Sequence, residues 1–414
     1  MAENGGKSIM VMQETPAGQT VTVARSVGLT IALCFCIALL EGFDIQALGI
    51  SLGKLTRQFG LDANQRTLLT TFSSVGIVLG AVVGGRVADF FGRKPVLLCA
   101  VSGFGAFTLA TIVAPSFLMV FVFRLLAGVG FGAALPMMMA IAAEISTPER
   151  KSITAAMMFC GMPAGGGSSG LVVQYLGPDF DWRVLFAIGG LMPLVLVPAI
   201  HFLLPETRGR HELRHEPPGA IVHALFGEGR LAPTLLLWTT FLPTLTILYL
   251  ILNWLPTLIA SKGFGGTVPA QATMLFNYGS VAGALLFGGF VDRLGVRWPL
   301  VLSYAGLIVC LLALGGATEV TPALVLSGVA GFLLLGANYA MYGAAAAYYP
   351  LSIRGTGSGA CISVGRIGSI VGPMLAGIWL GGGASAAQVI GYMAPFAAAA
   401  GIAVYLLGAY PHDD

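Results

Sequence analysis

Four ionisable side chains fall inside long apolar runs of this sequence. Glu41 and Asp44 lie fourteen and seventeen residues beyond Val27, where the first such run begins. That is about 21 and 25 Å along a helix, and at a spacing of three they share a face. Arg124 sits mid-run in 116–142 and Arg366 in 356–380. A charge turned to lipid at such depth costs at least ~2.5 kcal/mol, so groups of this kind line water or meet partners. A carboxylate can load and release a proton, and an arginine can hold a carboxylate, whether a neighbour's or a solute's. Together they suit coupling of a proton to an anion: Asp44 with Glu41 takes the proton, and Arg124 or Arg366 meets the anion. Plainer roles stay open at this point, with Glu41 a helix-terminal acid, Asp44 a fixed ion-pair partner and the arginines ties between helices.

Polar and aromatic residues of the second half supply a solute-sized lining. Tyr249, Asn253 and Trp254 share one apolar run with Thr240, Thr244 and Thr246; Asn277 and Tyr278 lie in the next, and Asn338, Tyr339 and Tyr342 two runs later. Rings with hydroxyl and amide groups suit a planar aromatic or hydroxylated solute. Tyr249 and Trp254 would serve equally as anchors at a membrane interface.

These residues need helices to hold them. The 414 residues are 56% hydrophobic and only 9% charged, a balance outside that of soluble domains. Apolar runs follow one another at 27–50, 67–88, 95–113, 116–142, 152–176 and 184–204, then at 231–258, 270–291, 299–317, 322–349, 356–380 and 388–409. The expected fold is an all-α polytopic membrane protein of twelve transmembrane helices in two six-helix bundles, 27–204 and 231–409. A cytoplasmic tail (1–26), a charged central linker (205–230) and a short tail (410–414) complete it. With the N-terminus inside, every Lys and Arg outside the spans lies on the cytoplasmic side except Lys54, Arg57, Arg66, Arg183 and Lys262. The positive-inside rule therefore puts both termini in the cytoplasm. A scattered net charge of +3 excludes a nucleic-acid binder, and all six cysteines fall in apolar runs, so neither disulfides nor a metal centre is implied. HELRH (211–215) lies in the charged linker and GGSSG (166–170) inside a glycine-rich apolar run, neither in the context that gives such a motif catalytic meaning, so no enzyme is indicated.

The halves echo each other. GRVADFFGRKP (Gly85–Pro95) matches GGFVDRLGVRWP (Gly288–Pro299), with Asp89 and Asp292, and Gly92 and Gly295, both 203 apart; Arg150 and Arg354 are 204 apart. Parallel repeats of this kind support rocking about a central site. The loop glycines suggest close approach of two helices, and Asp89 can meet helix N-terminal amides and Arg93. Gly85, Asp89, Gly92, Arg93 and Lys94, with Glu144, Arg150, Asp292 and Arg297, are expected to form a cytoplasmic latch favouring the outward-open state. GMPAGGG (161–167) and GRIGSIVGP (365–373) read either as gates or as packing seams.

GRVADFFGRK (85–94) and FRLLAGVGFGAA (123–134) resemble the loop and fourth-helix signatures of the major facilitator superfamily, and the resemblance spans nearly the whole chain. LLEGFDIQALGI (39–50), ILNWLPTL (251–258) and GTGSGACISVGRIGSIVGP (355–373) resemble its aromatic acid:proton symporters. The resemblance implies a multi-pass protein of the bacterial inner membrane. It also implies uptake of a small aromatic carboxylate of the hydroxyphenylpropionate type, driven by the proton gradient without a cofactor or an obligatory protein partner. It places proton and substrate chemistry on Asp44, coupling on Arg124 and carboxylate recognition near Arg366. Glu41 stands where many benzoate-type members have Asp, which weakens transfer of fine substrate preference. Val296 and Ser327 replace the counterparts of Arg93 and Arg124, which concentrates coupling in the first half. A proton-driven exporter and a non-transporting membrane sensor are the competing expectations.

Overall fold

The structure is a computed structural model and describes residues 17–145, 157–158, 160–204, 225–227, 229–349 and 354–410, without the side chains of 17–27, 89, 142–145, 288, 292, 346 and 354–356. The first half contributes α1 (Ala17–Phe59), α2 (Ala63–Phe91), α3 (Arg93–Ile112), α4 (Phe117–Ile145), α5 (Gly161–Leu176) and α6 (Trp182–Leu203). The second contributes α7 (Leu231–Ser261), α8 (Val268–Leu294), α9 (Arg297–Gly316), α10 (Val320–Ala347), α11 (Arg354–Gly381), α12 (Ala386–Gly391) and α13 (Ala394–Leu407). Eleven helical stretches among the described residues are long and apolar enough to cross a membrane. The expected span at 152–176 enters only as α5 and the pair 157–158, because 151–156 and 159 lie outside the description.

Helix ends follow local chemistry. Asp62 caps α2 by accepting from the Gln65 amide at 2.7 Å, while the Gln65 side chain accepts from the Asp62 amide at 3.1 Å. The two repeated loops turn on Gly92 (φ 90°) and Gly295 (φ 73°), a backbone region that only glycine enters freely. The expected single helix over 388–409 is instead broken between α12 and α13, where Pro395 in the first turn of α13 has no amide to continue the ladder. The first helix runs nine residues past the expected end at 50, to Phe59.

Repetition by 203 residues extends from the loops into the packing. A Cβ on Gly80 would strike the Val129 carbonyl, and 203 residues later one on Gly283 would strike that of Phe332. Gly165 rests in the same way on the Leu39 carbonyl, and Gly368 on that of Leu242. Thus α2 packs on α4 as α8 packs on α10, and α1 on α5 as α7 on α11. The glycine-rich segments of α5 and α11 are in this respect seams within bundles. Gly166, Gly167 and Gly170 instead face α8 of the other bundle, against Asn277, Tyr278 and the Ala270 carbonyl.

Contact between bundles gathers at the end carrying the α1–α2 and α7–α8 turns. There Gly377 of α11 sits on Thr67 of α2, and Gln271 of α8 donates to Gln174 of α5 at 2.6 Å. Gly49 of α1 crosses the backbone of Leu252 in α7, its own counterpart at 203 residues. Gly80→Leu is expected to force α2 from α4 and to abolish monodisperse protein on detergent size-exclusion chromatography. Gly85→Ala, which meets open space, should elute as wild type.

Candidate functional site

Between the bundles lies a narrow cavity of about 60 Å³, lined by side chains of both. Its lining obeys the repeat: Gly42 and Leu245, Ile45 and Leu248, Gln46 and Tyr249, Leu135 and Asn338, and Pro163 and Arg366 are pairs 203 apart, and all ten residues line it. Two equivalent helix faces therefore enclose one space, and the chemistry lies in how the paired positions differ. Arg366 brings a cation where its counterpart is a proline. Its Nη1 donates to the Tyr249 hydroxyl at 3.0 Å, and Tyr342 and Tyr339 continue the wall.

A smaller adjoining void of about 20 Å³ is lined by Asp44, Ser73, Ser74, Arg124, Asn253 and Tyr249 among others. Here the buried pair forms, with Arg124 Nη1 2.7 Å from Asp44 Oδ2 and the two side chains only 3% and 2% exposed. Arg124 Nη2 donates to Thr108 Oγ1 at 2.7 Å, and the guanidinium lies 4.8 Å from the centre of the Phe186 ring. Asp44 Oδ1 and both carboxylate oxygens of Glu41 are buried with no hydrogen-bond partner among the described residues. Glu41 lies within electrostatic reach of both Arg366 and Asp44. Tyr249 lines both spaces and so joins the Arg366 side to the Asp44–Arg124 side.

Most of the expected site residues converge here, with a division of labour the sequence left open. Arg124 is engaged by Asp44, Thr108 and Phe186, whereas Arg366 faces the larger cavity. Asn277, Asn338 and Tyr342 line that cavity and Asn253 the smaller void. Trp254 is the exception: it is 1% exposed within the core and borders neither space, because it projects from a different side of α7 than Tyr249. Gln46, Thr108 and Phe186 were not anticipated. Gln46 had a signal, since it is the repeat counterpart of Tyr249; Thr108 and Phe186 had none beyond lying in spans.

The loop motif is placed only in part. Asp89, Asp292 and Glu144 stand in described helices with side chains outside the description, and Arg150 lies wholly outside it. Gly85 does not make the expected close approach. A Cβ there meets nothing, and the neighbouring Gly84, about 100° round the helix, is the residue against Ala133. Gly92 shapes the turn, and Arg93 and Lys94 open α3 half-buried. Arg297 lies over the Tyr405 ring at 4.1 Å and the Trp298 ring at 5.6 Å, within its own bundle.

Solved structures share this architecture at low sequence identity. The xylose transporter XylE from E. coli, in an inward open conformation, aligns with a TM-score of 0.71 at 14% identity, over 94% of this chain and 97% of that one. A bacterial homologue of the human lysosomal transporter Spinster, inward-facing and unoccupied, aligns at 0.68 and 15%, over 93% and 97%. Closer relatives appear in sequence. The 3-(3-hydroxyphenyl)propionate transporter of Escherichia coli K12 is 37% identical over 92% of this chain and 93% of its own length. The 4-hydroxybenzoate transporter PcaK of Pseudomonas aeruginosa is 35% identical over 93% of each. The gallate transporter of Pseudomonas putida is 33% identical over 84% of each. The profile of the Major Facilitator Superfamily matches residues 34–277, and with relatives of this identity over nearly the full length, the chain belongs to that superfamily of membrane transporters, not to an enzyme family.

Proposed function

We propose that this transporter couples a proton to uptake of a small aromatic carboxylate of the hydroxyphenylpropionate type by alternating access. The observation that carries the reading is the placement of one cation, Arg366, on an aromatic-walled cavity beside a separate buried Asp44–Arg124 pair, with Tyr249 bordering both. Arg366 takes the solute carboxylate through charge-assisted hydrogen bonds, and Tyr249, Tyr339 and Tyr342 pack on the ring. A proton on Asp44 removes the charge that holds Arg124 Nη1. Arg124 then keeps only Thr108 and the Phe186 ring, and α1 is freed to shift against α4. Glu41, one turn from Asp44 and in reach of Arg366, lets each site sense the charge state of the other.

In this reading 27–204 and 231–409 are the rocking bundles, joined by the linker 205–230, and both termini lie in the cytoplasm of the bacterial inner membrane. The contact at Gly377–Thr67 and Gln271–Gln174 then closes the outer side, and the state is inward-facing. The acidic pair Glu41 and Asp44 in the first helix favours this direction over export.

Proteoliposomes loaded at neutral pH and diluted into acidic medium test it with labelled 3-(3-hydroxyphenyl)propionate. Protein-free liposomes must be run alongside, because the neutral acid crosses bilayers unaided. Accumulation above that background, collapsed by a protonophore, is the expected result; uptake equal to background would reject the proposal.

A further inference from the structure

Two buried amide oxygens in the central cavity have no use in the mechanism just described. Gln46 Oε1, on α1, and Asn338 Oδ1, on α10, both belong to side chains lining the cavity, in residues only 2% and 4% exposed, and neither has a hydrogen-bond partner among the described residues. Buried acceptors are almost always satisfied in proteins, so an unfilled pair on side chains that line the cavity calls for donors from a bound ligand. The cavity's cation takes an anion; these oxygens take something different, a hydroxyl hydrogen.

The repeat sharpens the point. Gln46 stands where the second bundle has Tyr249, and Asn338 where the first has Leu135. Among the described residues each bundle thus adds one unfilled amide acceptor to the shared lining, at a position whose counterpart is occupied by a different chemistry. The space around Gln46 is also kept clear: a Cβ on Gly166 would crowd both the Gln46 side chain and the Asn277 amide.

Resting on the transport function proposed above, we infer that Gln46 and Asn338 are specificity-determining residues that accept hydrogen bonds from phenolic hydroxyls, so that the carrier selects ring-hydroxylated aromatic acids over unsubstituted ones. The hydroxyl serves as donor, which separates this from mere polarity or size. A methyl ether keeps the oxygen and the ring but cannot donate, and a ring lacking the hydroxyl leaves both amide oxygens desolvated and empty.

Proteoliposome uptake of 3-(3-hydroxyphenyl)propionate, its 3-methoxy analogue and 3-phenylpropionate tests this in wild-type protein, with Gln46→Met and Asn338→Leu as shape-conserving variants. Wild type should favour the hydroxylated acid in kcat/KM by about tenfold or more over each of the others, as expected for one lost buried hydrogen bond. The single hydroxyl donates one hydrogen, so in at least one of the two variants that preference ratio should shrink several-fold. Equal handling of the hydroxy and methoxy acids by wild type would overturn the inference whether or not the variants fold. So would variants that lower all three acids by one common factor. A wild-type protein that carries none of the three would instead overturn the proposed function on which the inference rests.

Discussion

Arg366→Ala is expected to raise the KM for an aromatic carboxylate by about 100-fold or more while leaving the protein folded. The arginine is the cation on the larger cavity, and losing a desolvated, charge-assisted contact of this type costs about 2–5 kcal/mol. It lies half-buried and donates a hydrogen bond to Tyr249, so its removal strands a hydroxyl and withdraws a nearby cation from Glu41 without breaking the Asp44–Arg124 pair. Arg366→Lys should recover a fraction of the affinity, since an ammonium keeps the charge but not the planar fork. Labelled-acid binding to purified protein separates this from a turnover defect. Unchanged affinity in Arg366→Ala would move carboxylate recognition elsewhere.

The second large effect falls on the buried pair. Asp44→Asn keeps the side-chain shape and a carbonyl that can accept from Arg124, but it cannot exchange a proton. Proton-driven accumulation should therefore drop to the protein-free level while the protein still purifies as a monodisperse species. Arg124→Ala is the contrasting change, because it leaves the Asp44 carboxyl in a space that no other cation lines among the described residues. Breaking a buried pair in that way costs about 3–5 kcal/mol, so this variant should lose folded yield as well as transport. Thermal unfolding followed by tryptophan fluorescence distinguishes the two; if both variants unfold alike, the pair is structural and not part of coupling.

Much of this arrangement could be read in the chain because lipid is a strict solvent. Charges at 41, 44, 124 and 366 are costly unless they converge, and they do converge around two adjoining spaces. The repeat was legible in two loops, and the same offset proved to govern glycine seams and cavity lining alike. Gln46 could have been found by subtracting 203 from Tyr249. What could not be read was which arginine is left lining the larger cavity. That depends on Thr108 and Phe186, which occupy Arg124 from α3 and α6, and nothing in their local sequence announces it. Trp254 misled for a related reason: an aromatic beside Asn253 suggests a binding wall, but rotation about α7 turns it into the core. The break before Pro395 and the extension of α1 to Phe59 depend on end chemistry that apolar run length does not record.

Joint measurement of solute and proton movement bears on coupling through Asp44 most directly. Pyranine-loaded proteoliposomes, with membrane potential clamped at zero and no initial pH difference, receive 3-(3-hydroxyphenyl)propionate outside, with protein-free vesicles as background. Wild type should acidify the lumen in fixed proportion to labelled acid taken up, and Asp44→Asn should show no acidification above background. Carrier-dependent solute entry without proton entry in wild type, or proton entry that persists in Asp44→Asn, would contradict the account.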